Sequence, residues 1–147
     1  MVDLFAIEPA IVACLENRLP EWHIQGAIDT QQALLQELPT RTILVINRGG
    51  QTHETAESAV LFRQNWEVCV AIGSVRDLRD GSAHRAIAGP VLDTLITLLH
   101  NWIPLPGAGP LRFAGAKPQL LNNSGRALFP LEFTVDLTRV GDDFSPG

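Results

Sequence analysis

The stretch FPLEFTVDLTRV (residues 129–140) decides the fold, read together with WEVCVAIG (residues 66–73). In the first, Leu131, Phe133, Val135 and Leu137 alternate with Glu132, Thr134, Asp136 and Thr138. In the second, Trp66, Val68, Val70 and Ile72 alternate with Glu67, Cys69 and Ala71. Successive side chains of a strand point to opposite sides, so strict alternation predicts strands with one buried face. The chain invests in sheet faces and shows no comparably sharp cluster of catalytic residue types. That contrast favours an assembly or binding protein over an enzyme.

Outward from these strands, the remaining elements follow from period and punctuation. Residues 5–18 predict an amphipathic helix with Pro9 in its first turn and Ile7, Ile11, Cys14, Leu15 and Arg18 on one stripe; Leu19-Pro20 stops it. Trp22, Ile24, Gly26 and Ile28 alternate with polar or small residues and predict a strand; residues 30–38 predict a short helix ended by Pro39. The aliphatic and β-branched run over 42–46 predicts a central strand buried on both faces, ended by a turn at Arg48-Gly49-Gly50. Residues 51–62 begin polar and end apolar, and predict a strand reaching beyond the sheet, paired with 62–73 in an extended hairpin. Residues 74–82 predict a charged loop.

A second helix is expected over about 83–102, with Ile87, Val91, Leu95, Leu98, Leu99 and Trp102 on its buried face and Gly89-Pro90 as a kink. Residues 104–110 predict a Pro/Gly linker. Strands over 111–121 and 128–140 are joined by the turn Asn122-Asn123-Ser124-Gly125. The expected class is α+β: a mainly antiparallel β-sheet with two main α-helices packed on one face, plus an extended β-hairpin. Residues 1–140 form one domain on this reading, and 141–147 a flexible tail.

Composition bounds the partners. Of 147 residues, 46% are hydrophobic and 18% charged, a globular balance. Lys117 is the single lysine, and all other basic side chains are arginine, the residue suited to planar pairing at interfaces. The formal net charge is -5 with no basic cluster, which argues against sequence-independent grip on phosphate. Cys14 and Cys69 are isolated thiols with no CxxC, consistent with a reducing compartment and no disulfide. The apolar residues between 4 and 19 are interrupted by Glu8, Pro9, Glu16, Asn17 and Arg18, so they do not form a membrane span.

No residue set predicts a reaction. His23, His53, His84 and His100 include no pair at metal-ligating spacing. The sequence GAGP at 107–110 lacks the following helix that a phosphate loop needs, and no GxSxG elbow accompanies Ser74, Ser82 and Asp77. No catalytic, metal or cofactor site is expected. The expected sites are interfaces. Arg48 lies at the turn before the strand extension, Gln51, His53, Glu54 and Glu57 lie on the extension, and Arg76, Asp77, Arg79, Asp80 and Arg85 lie on the charged loop and the helix start. Charges of mixed sign fix register across interfaces, a strand extension can add to a partner's sheet edge, and His53 beside Glu54 is placed to titrate there.

The layout resembles the tail terminator proteins of tailed phages, especially the Mu-like family of contractile tails. The resemblance spans about residues 5–140 and rests on four features. An N-terminal helix closes on leucine-proline (8–20), and a short strand follows a proline, PTRTILVI (39–46). The strand QNWEVCVA (64–71) precedes a long helix (85–102), and LFPLEFTVD (128–136) closes the sheet. The resemblance implies a virion protein of the tail or neck, assembled in the host cytoplasm, with no cofactor. It implies a homo-oligomer, a hexameric ring that caps the tail tube. Its partners would be the tail tube protein, a head-side neck or connector protein and the tail sheath, with DNA passing through the lumen and no membrane contact. A neck, stopper or head-tail joining protein of similar fold is the alternative it implies. A small cytosolic ligand-binding domain or enzyme is a third reading, and the residues offer no convergent polar pocket for it.

Overall fold

The computed structural model describes residues 5–29, 39–56, 59–73, 82–121 and 126–140. Helix α1 (Ile7–Arg18) carries Pro9 in its first turn, where an amide donor has no partner to lose. Ile7, Ile11 and Leu15 are fully buried, while Cys14 is only half-buried and Arg18 is exposed. The stripe is therefore narrower than the sequence suggests. The helix closes where the Leu19 amide donates to the Leu15 carbonyl at 2.7 Å.

Strand β1 (His23–Ala27) is shorter than the expected 22–28. Its parallel ladder with the next strand ends at Ala27 opposite Ile46, so Ile28 falls outside the sheet and is 77% exposed. Trp22 lies just before the strand and packs on the core edge. The short helix expected over 30–38 lies outside the described residues.

Strands β2 (Arg41–Ala56) and β3 (Ala59–Ile72) form the long antiparallel hairpin. Here the structure corrects the sequence reading. Arg48-Gly49-Gly50 is not a turn that ends β2; the strand runs through it with a register shift between Asn47 and Gly50. Gly49 takes φ +83°, and its amide donates to Asn47 Oδ1 at 2.6 Å. A bulge needs the same left-handed residue that a turn does, so the local signal is shared. Residues 51–62 are likewise not one strand. They divide between β2 and β3, with the hairpin's reversal between Ala56 and Ala59.

Helix α2 (Ser82–Leu99) ends before Trp102, because Asn101 adopts φ 67° and turns the chain back. Pro90 lies inside it, on the exposed side, where Thr94 Oγ1 donates to the Pro90 carbonyl at 3.0 Å. The segment after α2 is bonded to its surroundings. Leu111 N–H donates to the Trp102 carbonyl at 2.9 Å and Gly109 N–H to the Asp136 carbonyl at 2.8 Å. The single strand expected over 111–121 is two, β4 (Arg112–Ala116) and β5 (Leu120–Leu121), with Gly115 at φ 131° marking a register shift in β4. Both pair with β6 (Ala127–Val140), which closes the sheet.

The sheet order is β1-β2-β3-β6-β4, with β5 also on β6; only the β1–β2 pair is parallel. Alternation assigns the faces. Ile43, Val45, Trp66, Val68, Val70, Phe129, Leu131, Phe133, Val135 and Leu137 meet both helices in one core, where Ala88, Val91, Leu95 and Leu99 of α2 are buried. Trp102 packs against this core from beyond the helix end. This is the expected α+β architecture with both helices on one face. The run over 42–46 is buried on both faces, as its composition predicts, because Leu44 and Ile46 form a second cluster with Cys69, Ala71 and Leu128 on the opposite face. The loop expected over 74–82 lies outside the described residues up to 81, and the turn at 122–125 and the tail at 141–147 lie outside them entirely.

Candidate assembly surface

The hairpin extends past its neighbour on one side only. β1 accompanies β2 over Thr42 to Ile46 and then stops. β6 accompanies β3 along its whole length, from Ile72 opposite Ala127 to Ala59 opposite Val140. The distal half of the hairpin is thus an arm of three strands, with β2 on its outside. Gly49, Gly50, Gln51, Thr52 and Thr55 of β2 are all exposed.

The face opposite the helices changes character along the sheet. Toward the base it is the buried apolar cluster of Leu44, Ile46 and Cys69. Toward the arm it is polar and ion-paired. Glu67 is 1% exposed and sits between two cations: Arg48 Nη2 donates to its Oε2 at 3.0 Å, and Lys117 Nζ lies 3.3 Å from its Oε1. Lys117 also lies 3.3 Å from Glu132 Oε1. A buried carboxylate needs such partners, because desolvation of an unpaired charge is costly. Arg48, Lys117 and Glu132 line a pocket of about 220 Å³, bounded also by Asn65 and Thr134. One step further out, Arg63 and Asp136 stand directly opposite on β3 and β6 and form a bidentate pair, at 2.7 and 3.1 Å. That pair raises the arginine's pKa above its ordinary value through the hydrogen bond and the adjacent charge.

The thiols are free. Burial pushes Cys69 up to about 12, with the Glu67 charge adding to the shift. Burial also raises Cys14, against a smaller opposing effect of Arg18. The histidines serve structure where they are described. His100 Nδ1 accepts the Phe113 amide at 3.0 Å at the start of β4, His84 is buried in the first turn of α2, and exposed His23 contacts Gln25 at 2.8 Å. Among the described residues, no three His, Cys, Asp or Glu side chains stand together as a metal site. No helix among them is long and apolar enough to cross a membrane.

The residues expected at interfaces divide as follows. Arg48 lies at the base of the arm, and half its role is internal, as a partner of Glu67. Gln51 is exposed on the arm, and the backbone of His53 and Glu54 continues β2 beside it. Arg85 is exposed near the start of α2, which follows the opposite end of β3, so it does not join the arm. Glu57, Arg76, Asp77, Arg79 and Asp80 lie outside the described residues. Sequence reasoning missed Arg63, Glu67, Lys117, Glu132 and Asp136. The lone lysine was a signal in hand, but only the strand register shows what it meets.

Fold and surface together define an α+β domain organised on one long antiparallel hairpin. A solved structure known only by a sequence identifier has the same fold. It is 15% identical, with a TM-score of 0.50, over 97% of this chain and 94% of that one. No curated protein matches the sequence. A family model described as phage tail terminator protein matches residues 1–142. The chain belongs to that family, and it is a structural protein of the phage virion tail.

Proposed function

We propose that the chain forms a hexameric ring that caps the tail tube, ends tube growth and joins the tail to the head-side connector. The family match over residues 1–142 carries this reading. Three properties of the chain support it. The arm presents an exposed, polar strand on one side of the domain, which suits a contact between unlike surfaces of neighbouring copies. The one lysine is held by Glu67 and Glu132, so no loose basic patch forms around it to hold phosphate. The net charge of -5 suits a lumen through which DNA slides without sticking. The protein does no chemistry on this reading; its partners are its own copies, the tube protein, the connector and the sheath of a Mu-like contractile tail, and it assembles in the host cytoplasm before entering the virion.

The test is the mass of the purified chain in solution, alone and with tail-tube protein. The expected result is an assembly of six 16.0 kDa chains, alone or on tube ends, with tube elongation halted. A chain that stays monomeric and leaves tubes growing overturns the reading. Binding to a head-side ring without binding tubes points to a neck protein instead.

A further inference from the structure

The sheet has two open edges on opposite sides. Past Ile46, no strand among the described residues lies on the outer side of β2, which runs on to Ala56. On the far side β4 is the last strand; His100 Nδ1 takes the Phe113 amide at its start, and past Phe113 its outer edge is open among the described residues. An open edge is a row of backbone donors and acceptors that templates a further strand. The ladder shows which groups point outward. Gly73 N–H donates to the Thr40 carbonyl, so that pair is hydrogen-bonded, and bonded pairs recur every second residue along β3. Counting along β3 reaches Arg63, the partner of Gln51. The neighbouring pairs, Gly50 with Gln64 and Thr52 with Phe62, therefore turn their β2 amides away from β3. Thr52 is exposed.

The edge sequence NRGGQTHETA (47–56) is polar up to its final alanine. A strand added there gains backbone hydrogen bonds, and not apolar burial. We propose that this edge of β2 pairs with the outer edge of β4 from a second copy, so that the sheets of neighbouring copies join head to tail into one continuous wall. The inference rests on the ring reading above and names the contact that builds it. A closed head-to-tail ring needs two unlike surfaces, and these are unlike edges of one sheet on opposite sides of the domain. Closure satisfies both edges at once, as barrel closure does. The five residues of β4 fit within the ten of the β2 edge. Bulges at Asn47/Gly50 and Thr52/Glu54 in β2 and at Phe113/Gly115 in β4 bend both edges away from flat pairing, which selects a matching curved partner over indiscriminate ones.

The test uses Thr52→Pro, which removes an outward amide while leaving the ladder to β3 intact, with Thr52→Ala as control. Light scattering gives the mass of each full-length chain, alone and with tail-tube protein. Wild type and Thr52→Ala assemble on this inference, and Thr52→Pro stays monomeric with an unchanged melting curve. A Thr52→Pro chain that assembles like wild type overturns the pairing and leaves the ring reading standing. A ring that forms but loses the tube also overturns it, because the edge then serves the tube. A wild type monomeric in both conditions overturns the ring reading and this inference with it. If Thr52→Pro fails to fold, Thr55→Cys and Ala116→Cys chains, each on a Cys14→Ser background, are mixed and oxidised. A cross-linked dimer in the mixture, and in neither chain alone, supports the pairing; assembled rings without that cross-link overturn it.

Discussion

Replacing Gly50 by alanine tests whether the bulge at the base of the arm is a built feature. An added Cβ would collide with the Arg63 carbonyl oxygen and stand 2.8 Å from Phe62 Cζ and 3.1 Å from Gln64 Cα. Phe62 can swing aside, but the Arg63 carbonyl and Gln64 Cα are backbone of the partner strand. The clash therefore opens the ladder itself. Overpacking of this kind costs about 1–3 kcal/mol. In a chain of this size that corresponds to a drop in Tm of roughly 3–10 °C. Gly49 is the internal control. It holds φ +83° with nothing within 4 Å of an added Cβ, so alanine there meets only the left-handed backbone penalty, about 1 kcal/mol. Urea melts read by circular dichroism give both values, and an unchanged m-value certifies that the transition is the same one. Hydrogen exchange should show the loss of protection concentrated in the arm, at Gln51 and Arg63, ahead of the β2–β3 base. A Gly50→Ala protein that melts with wild type, or a Gly49→Ala protein that is the less stable of the two, refutes the bulge geometry.

Three further outcomes are expected. Glu67→Gln should lower stability by about 1–3 kcal/mol, because it weakens two charge-assisted contacts inside the sheet face; Lys117→Ala should cost under about 1 kcal/mol, since its side chain is nearly half exposed. Denaturant midpoints rank the two, and the reverse order would contradict the burial of Glu67. Cys69 has a folded pKa of about 12 against 9.0 when unfolded, so its contribution is intact below pH 9 and is lost as pH rises toward 12. Wild type should lose about 1.4 kcal/mol per pH unit more than Cys69→Ala between pH 9.5 and about 11, and equal slopes would count against a buried neutral thiol. Phe133→Ala should cost about 3–5 kcal/mol, since it empties a fully buried site and removes the tilted ring contact with Phe113 at 5.5 Å. A calorimetric loss below about 1 kcal/mol would mean that the site collapses or is solvated.

The sequence made the class legible because its signals are local. Alternation over 66–73 and 129–140 marked β3 and β6, and period-four spacing of Ile7, Ile11 and Leu15 marked α1. What failed to show depends on partners far along the chain. Gly49-Gly50 asks for a left-handed backbone, and only the continuing register with Gln64 and Arg63 distinguishes a bulge from a turn. Glu67 alternates with valines and so reads as solvent-facing. It is buried because Arg48 and Lys117 arrive from two other segments to neutralise it. Gln51, His53 and Glu54 fall on one strand as their contiguity in sequence suggests, and Arg48, read as part of a turn, joins them because β2 runs through the bulge. Arg85 could not be joined to them from sequence, because its position follows from the sheet order.

The arm raises a physical question that its own structure answers. A two-stranded ribbon with one polar strand is marginal in water, and Gln51, Thr52 and Thr55 of β2 are exposed. Here the ribbon has a third strand, because β6 follows β3 to its end, and the Arg63–Asp136 pair ties the two strands where the arm leaves the body. Leu137 is fully buried at that level, and Ala108 bridges to it from the segment after α2. The outer strand is therefore held in extended form by its neighbours before any partner arrives. A strand ordered in advance loses less conformational entropy on binding than a loop that must fold to bind. A rigid, polar, open edge is what the physics of strand addition favours, and two bulges limit which strand can take it.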